Sequence, residues 1–165
     1  MNTQNNAQKN TTVCFTGHRD IPADKRKDIL RTLARTVGEL YLEGYRTFCA
    51  GGALGFDTLA AAVVLVLKKK KDDVRLHLVL PCPDQTKGWR QADVDMYEAI
   101  KAEADAVTYA APHYERGCMH TRNRQLVEQS AVCVAYMHKE TGGTAYTVSY
   151  AKQHGLRVIN VAKMI

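Results

Sequence analysis

The chain has 165 residues, of which 45% are hydrophobic and 24% charged, a composition that suits one folded globular domain and excludes a disordered chain. The longest apolar run, residues 59–67, is too short to cross a bilayer, and the polar segment 1–10 lacks the apolar core of a signal peptide. The formal net charge of +6 favours an anionic partner, either nucleic acid or a phosphorylated small molecule.

The polar amino-terminal segment and the cysteines set the expected organisation. We expect residues 1–11 to be a disordered leader and residues 12–165 to form a single domain. The five cysteines are odd in number and contain no CxxC pair. Three of them lie in strand-like runs, which is typical of reduced core thiols in a cytoplasmic protein. We therefore expect no metal site and no membrane contact.

Strand-like and helix-like segments alternate from one end of the chain to the other. Strands are predicted at 12–16, 46–50, 74–80, 106–109, 131–137 and 157–161, and helices at 23–43, 57–70, 91–103, 121–129 and 144–154. Parallel strands need crossover helices, so this alternation predicts a mostly parallel sheet between two helical layers. The predicted fold class is α/β, a single three-layer Rossmann-like domain.

The first strand is followed by Thr16, Gly17, His18 and Arg19. A glycine lets a ligand approach the backbone closely, and an arginine offers a bidentate fork to phosphate. The alternative is a tight turn with a surface arginine. We favour the ligand-binding interpretation because the first strand of this fold ends at the ligand site.

The second strand is followed by a glycine-rich loop that contains Gly51, Gly52, Ala53, Gly55 and Asp57. The loop lacks the lysine of a P-loop and does not match the dinucleotide GxGxxG pattern. Its amides are predicted to form an anion-binding nest at the start of a helix. Asp57 would accept ribose hydroxyls or assist chemistry at the sugar, or it would only complement the helix dipole.

A third glycine turn and a basic segment complete the candidate site. Gly142, Gly143 and Thr144 open the last helix and fit a phosphate cradle, although Thr144 could instead be the helix N-cap. Arg122 and Asn123 precede the fifth strand, and Arg122 is a candidate for a second anionic group. Trp89 would stack on a base or pack its helix on the sheet. The glycine turns all follow strands, so the fold places them on one edge, which predicts a nucleotide-like ligand.

These segments together resemble the SLOG superfamily, and within it the YpsA-like branch, which is related to DprA and to the LOG phosphoribohydrolases. The loop from Gly51 to Asp57 resembles the GGAxGxD motif of the YpsA-like proteins and DprA, and residues 16–19 resemble the YpsA-like opening motif. Trp89 with Tyr97 resembles the W…Y segment of that branch. Residues 122–130 resemble the RNRxxxxxS stretch of DprA.

The resemblance implies a nucleotide-derived ligand of the ADP-ribose or NAD type, no firmly identified cofactor, and a homodimer. LOG enzymes pair an arginine with the glutamate of a PGGxGTxxE motif at the N-glycosidic bond. Residues 119–122 resemble the arginine-bearing MHxR segment, but the glutamate position falls on Thr147. Asp57 is the best substitute acid, and Glu128 is the other candidate.

Three hypotheses follow. The first is a cytoplasmic nucleotide-binding protein that acts as a sensor in nucleotide signalling or stress response. The second is a hydrolase that cleaves an N-glycosidic or phosphoester bond of a nucleotide, with Asp57 as the catalytic carboxylate. The third is a single-stranded nucleic-acid binder like DprA, for which the sequence offers no basic stripe interleaved with aromatic residues.

Overall fold

Strands and helices alternate along the chain in the predicted order. The structure is a computed structural model that describes residues 3–165. Its helices are α1 (Thr3–Lys9), α2 (Arg26–Leu42), α3 (Phe56–Lys70), α4 (Gln91–Glu103), α5 (Cys118–Glu128) and α6 (Gly143–Gln153). Its strands are β1 (Thr12–Gly17), β2 (Thr47–Ala50), β3 (Arg75–Leu80), β4 (Ala106–Tyr109), β5 (Val132–Tyr136) and β6 (Arg157–Asn160). Short 3-10 turns precede α2 and follow β6.

The six strands form one sheet in the order β4-β3-β2-β1-β5-β6. Every neighbouring pair is parallel, so the sheet is more regular than the predicted mostly parallel one. The chain winds outward from β1 to β4 and then returns to the other side of β1 to form β5. This reversal makes the gap beyond β1 and β5 the topological switch point, where ligands bind in folds of this class.

Alternate residues of the strands pack on opposite faces of the sheet, which produces two hydrophobic cores. On one face Val13 and Phe15 pack with the apolar sides of α2, α3 and α4. On the other face Cys14 packs with residues of α5 and α6. Burial on both faces explains why the strands read as continuous apolar runs. All five cysteines are buried and free.

The predicted disordered leader is wrong over part of its length. Residues 3–9 form α1, while residues 1 and 2 lie outside the described part of the chain. The hydroxyls of Thr11 and Thr12 donate hydrogen bonds of 3.1 and 2.6 Å to the Gln8 carbonyl. These bonds give a partner to a carbonyl at the carboxyl end of α1, where helix carbonyls lack partners within the helix. A polar composition alone does not reveal such a contact. Among the described residues, none of the helices is long and apolar enough to cross a membrane.

Candidate functional site

The loops after β1, β2 and β5 meet above the switch point and enclose a cavity of about 270 Å³. Most of the predicted site residues line it, together with Phe15, Met119, His120 and Thr141. The predicted residues in the lining are Thr16, Gly17, His18, Arg19, Ala53, Asp57, Arg122, Asn123, Gly142, Gly143 and Thr144. Gly51, Gly52, Gly55 and Trp89 lie outside the lining.

Asp57 is held at the base of the cavity in the first turn of α3. Its carboxylate is almost fully buried and accepts a hydrogen bond of 3.2 Å from the Ala53 amide. Burial raises the pKa of Asp57 to about 6, against the opposing effects of Arg122, the Ala53 amide and Arg19. The carboxylate is therefore mainly ionised at neutral pH and becomes protonated when the pH falls about one unit below neutral.

Arg122 is a buried cation that holds the glycine loop from the side of α5. It is 5% exposed, and one of its Nη atoms donates a hydrogen bond to the Gly51 carbonyl. Its Nε donates to the Asn123 side chain at 2.8 Å. Burial lowers the pKa of Arg122, and the charge of Asp57 opposes that effect. No direct ion pair joins Arg122 to Asp57 among the described residues, so the two charges act on each other through space.

The glycines of the second loop make room for this pair. A Cβ on Gly51 would lie 2.5 Å from an Arg122 Nη atom and 3.0 Å from an Asp57 oxygen. A Cβ on Gly55, which has φ +79°, would overlap the Arg19 carbonyl. The Ala53 amide is bonded to Asp57, and the amide of residue 56 donates to the carbonyl of residue 18. These two amides are therefore not free for a phosphate, and an anion nest in this loop would use its other amides.

Trp89 is half-buried and lies outside the cavity lining. Its ring meets the Tyr97 ring edge to face with centroids 5.6 Å apart. Tyr97 is buried against the outer side of the glycine loop, where a Cβ on Gly52 would lie 3.3 Å from its ring. This contact is the packing predicted as the alternative to base stacking.

His18 joins the loop after β1 to the loop after β5. Its Nε2 accepts hydrogen bonds from the amides of His138 and Lys139 at 3.1 and 3.3 Å. Because Nε2 is the acceptor, the proton of the neutral ring is assigned to Nδ1. Burial, followed by the nearby His138 and Lys139 charges, lowers the pKa of His18. Sequence reasoning missed this contact, since it joins residues 120 positions apart.

The third glycine turn supplies the free amides of the site. Gly142 has φ +93° and is the N-cap of α6, so Thr144 lies inside the first turn and is not the cap. The first amides of a helix have no partner within the helix, and the helix dipole adds positive charge there. Arg19 lies exposed at the rim and forms no ion pair among the described residues. This side of the cavity is therefore suited to an anion.

The carboxylates proposed to replace the missing glutamate are not equivalent in the structure. Thr147 is buried and donates its hydroxyl proton to the Gly143 carbonyl at 2.9 Å. Glu128 accepts a hydrogen bond from Tyr150 and lines a different cavity together with residues of α1. Only Asp57 lines the cavity at the switch point. No cluster of metal-ligating side chains occurs within residues 3–165.

Comparison with known proteins places these features in a family context. The YpsA family model, described as the YspA SLOG family, matches residues 13–163. The chain is 27% identical over 134 residues to a UPF0398 protein of Bacillus thuringiensis (strain Al Hakam), covering 77% of this chain and 71% of that protein.

Two solved structures share the fold. DNA processing protein A (DprA) of Streptococcus pneumoniae has a TM-score of 0.65 and 17% identity, covering 92% of this chain and 50% of that chain. DprA of Helicobacter pylori, whose structure concerns its single-stranded DNA binding mode, has a TM-score of 0.65 and 18% identity. That match covers 95% of this chain and 67% of the other. The chain thus spans half the length of the first of these proteins.

Proposed function

Because the chain belongs to the YspA SLOG family, we propose that it binds a nucleotide or nucleotide-derived ligand of the ADP-ribose or NAD type. The cavity at the switch point would hold this ligand, and the protein would act as a sensor in nucleotide signalling or stress response. The observation that carries the proposal is the meeting of Arg19, the α6 amino terminus and the buried Asp57 around one cavity. A cytoplasmic location and a homodimer stay predictions.

Each residue of the cavity would contact the part of the ligand that its chemistry suits. Arg19 and the first amides of α6 would bind phosphate, because both offer donors and positive charge. Asp57 would accept hydrogen bonds from ribose hydroxyls. The Nη1 and Nε donors of Arg122 are already bonded within the protein, so Arg122 would support the site rather than bind the ligand. Its charge would favour the ionised form of Asp57, and its hydrogen bond to Gly51 would hold the glycine loop in place.

Replacing Arg19 by glutamine tests this function directly. We expect Arg19→Gln to weaken nucleotide binding by about 1.5 kcal/mol, the lower end for a charged hydrogen bond, because the side chain is exposed. Isothermal titration calorimetry with ADP-ribose and NAD measures this. The matched control is Arg35→Gln, on the exposed side of α2. Equal affinity of wild type and Arg19→Gln would reject the role given to Arg19.

A hydrolase is the second candidate function, and the environment of Asp57 is the observation that favours it. A carboxylate with a pKa of about 6 beside a buried arginine is the kind of group that moves protons near neutral pH. Incubation with nucleoside monophosphates, NAD and ADP-ribose at high protein concentration should then give product, which Asp57→Asn should abolish. Absence of product from the wild type would leave binding as the function.

Single-stranded nucleic acid is the third candidate, favoured by the structural similarity to DprA and by the net charge of +6. Phosphate-backbone contacts would make the affinity fall steeply with salt. Fluorescence anisotropy with a labelled oligonucleotide over a salt series measures this. Absence of binding at low salt would exclude this candidate.

A further inference from the structure

A second cavity of about 370 Å³ adjoins the first and shares His18 and Arg19 with it. Its other lining residues come from the segment after Arg19, which includes Ile21, and from the loop after β5, which includes Lys139. His18 and Arg19 therefore border both cavities. The site has two lobes that open on the same edge of the sheet.

The second lobe combines positive charge with an apolar surface. Arg19 and Lys139 form no ion pair among the described residues, and Asp20 is the one carboxylate in the lining. Ile21 is half-buried and Pro22 exposed, and together they offer an apolar platform. Such a lobe suits a ligand group whose anionic part would contact the cations and whose sugar or ring would lie on the apolar surface.

Side chains rather than backbone amides would recognise the anion in this lobe. The amides of His138 and Lys139 already donate to His18. In the first lobe, by contrast, the α6 amino terminus supplies free amides in addition to the side chain of Arg19. The cationic side chain of Lys139 is thus the group most specific to the second lobe, because Arg19 serves both.

The first lobe is small for a ligand that consists of two linked parts. Small-molecule sites usually measure about 300–1,000 Å³, and the first lobe alone is about 270 Å³. We propose, on the basis of the proposed function, that the second lobe is a separate subsite for one half of a ligand whose two parts are joined through a diphosphate. The first part of that ligand lies at the α6 amino terminus and its second part lies between Ile21 and Lys139. The second lobe selects this class over mononucleotides.

Calorimetric titration of the full chain with AMP and with ADP-ribose tests this inference. We expect the wild type to bind ADP-ribose roughly tenfold or more tightly than AMP, because only ADP-ribose reaches both lobes. Lys139→Gln should weaken ADP-ribose binding about fivefold and leave AMP binding within about twofold, as expected for the loss of one exposed charge contact. The matched control is Lys69→Gln at the far end of α3, which should change neither affinity.

The outcomes separate the inference from the proposed function. If AMP and ADP-ribose bind equally and Lys139→Gln changes neither, the second lobe is not part of the site, although nucleotide binding stands. If Lys139→Gln weakens both ligands equally, the lobe does not select the two-part class and the inference is wrong. If the wild type binds neither ligand, both proposals are overturned. Thermal unfolding of each variant checks that the exposed substitutions leave the fold intact.

Discussion

At the scale of single residues, the central feature of the candidate site is a carboxylate whose ionised form is disfavoured by burial. Asp57 is buried, so its ionised form is disfavoured, and Arg122 only partly offsets that penalty. Both side chains fit because Gly51 has no side chain between them. The ribose contact proposed for Asp57 needs the ionised carboxylate, whereas the stability of the folded protein favours the protonated one.

Asp57→Asn should stabilise the protein at pH 8. The pKa rises from 3.8 in the unfolded chain to about 6 in the folded one, so the folded state binds the proton more tightly. Stability from this group is greatest below pH 3.8 and is lost as the pH rises through 6, a loss of about 3 kcal/mol. Urea unfolding should show the variant up to that much more stable at pH 8 and equal to wild type near pH 3. Asp72→Asn, at an exposed position, is the control. A less stable Asp57→Asn at pH 8 would contradict the predicted cost of ionisation.

Gly51→Ala should disrupt the pair by steric conflict. The new methyl group would lie 2.5 Å from the Arg122 guanidinium, and displacing a buried cation should destabilise the protein by about 1–3 kcal/mol. Nucleotide affinity should fall as well. Gly38→Ala is a matched control, because its methyl group meets no atom within 4 Å inside α2 and should add about 0.5–1 kcal/mol of stability. Equal unfolding midpoints for Gly51→Ala and wild type would show that the loop can adapt.

At the scale of elements, the site is made by loops that are fastened to each other rather than by any one loop. His18 joins the β1 loop to the β5 loop, and Arg122 joins α5 to the loop after β2. The β5 loop then leads into α6, whose amino terminus faces the cavity. A change of protonation at His18 would therefore loosen one wall of both lobes.

The His18 contact should weaken as the solution becomes acidic. The pKa of His18 is lowered below 6.5 in the folded protein, so the unfolded chain binds the proton first. Its stabilising effect is present above pH 6.5 and is lost as the pH falls below that value. Hydrogen-exchange protection factors of the His138 and Lys139 amides should be lower at pH 5 than at pH 7. In His18→Ala they should be low at both values, whereas unchanged protection at pH 5 in the wild type would contradict the prediction.

At the scale of the whole molecule, the order of the strands turns separate loops into one site. Outward winding from β1 and the return to β5 leave the ends of β1 and β5 side by side. The α6 amino terminus thereby comes to lie beside Arg19, although the two are far apart in the sequence. Glu128 lies at the opposite edge of the sheet, in a cavity with Thr12 and Thr47 at the starts of β1 and β2, so this carboxylate is separate from Asp57.

The sequence by itself determined the alternation of elements, the α/β class and most of the residues that line the cavity. Periodicity and glycine turns are local signals, and parallel strands have few ways to connect, so local patterns were enough. Only the tertiary structure decided which contacts these residues make. It buried Arg122 and Asp57 together, used the second glycine loop for their support, packed Trp89 on Tyr97 and bonded His18 to the β5 loop. These contacts join residues that are distant in the sequence. Hydrophobic periodicity and turn motifs report only local structure, so they do not predict such contacts.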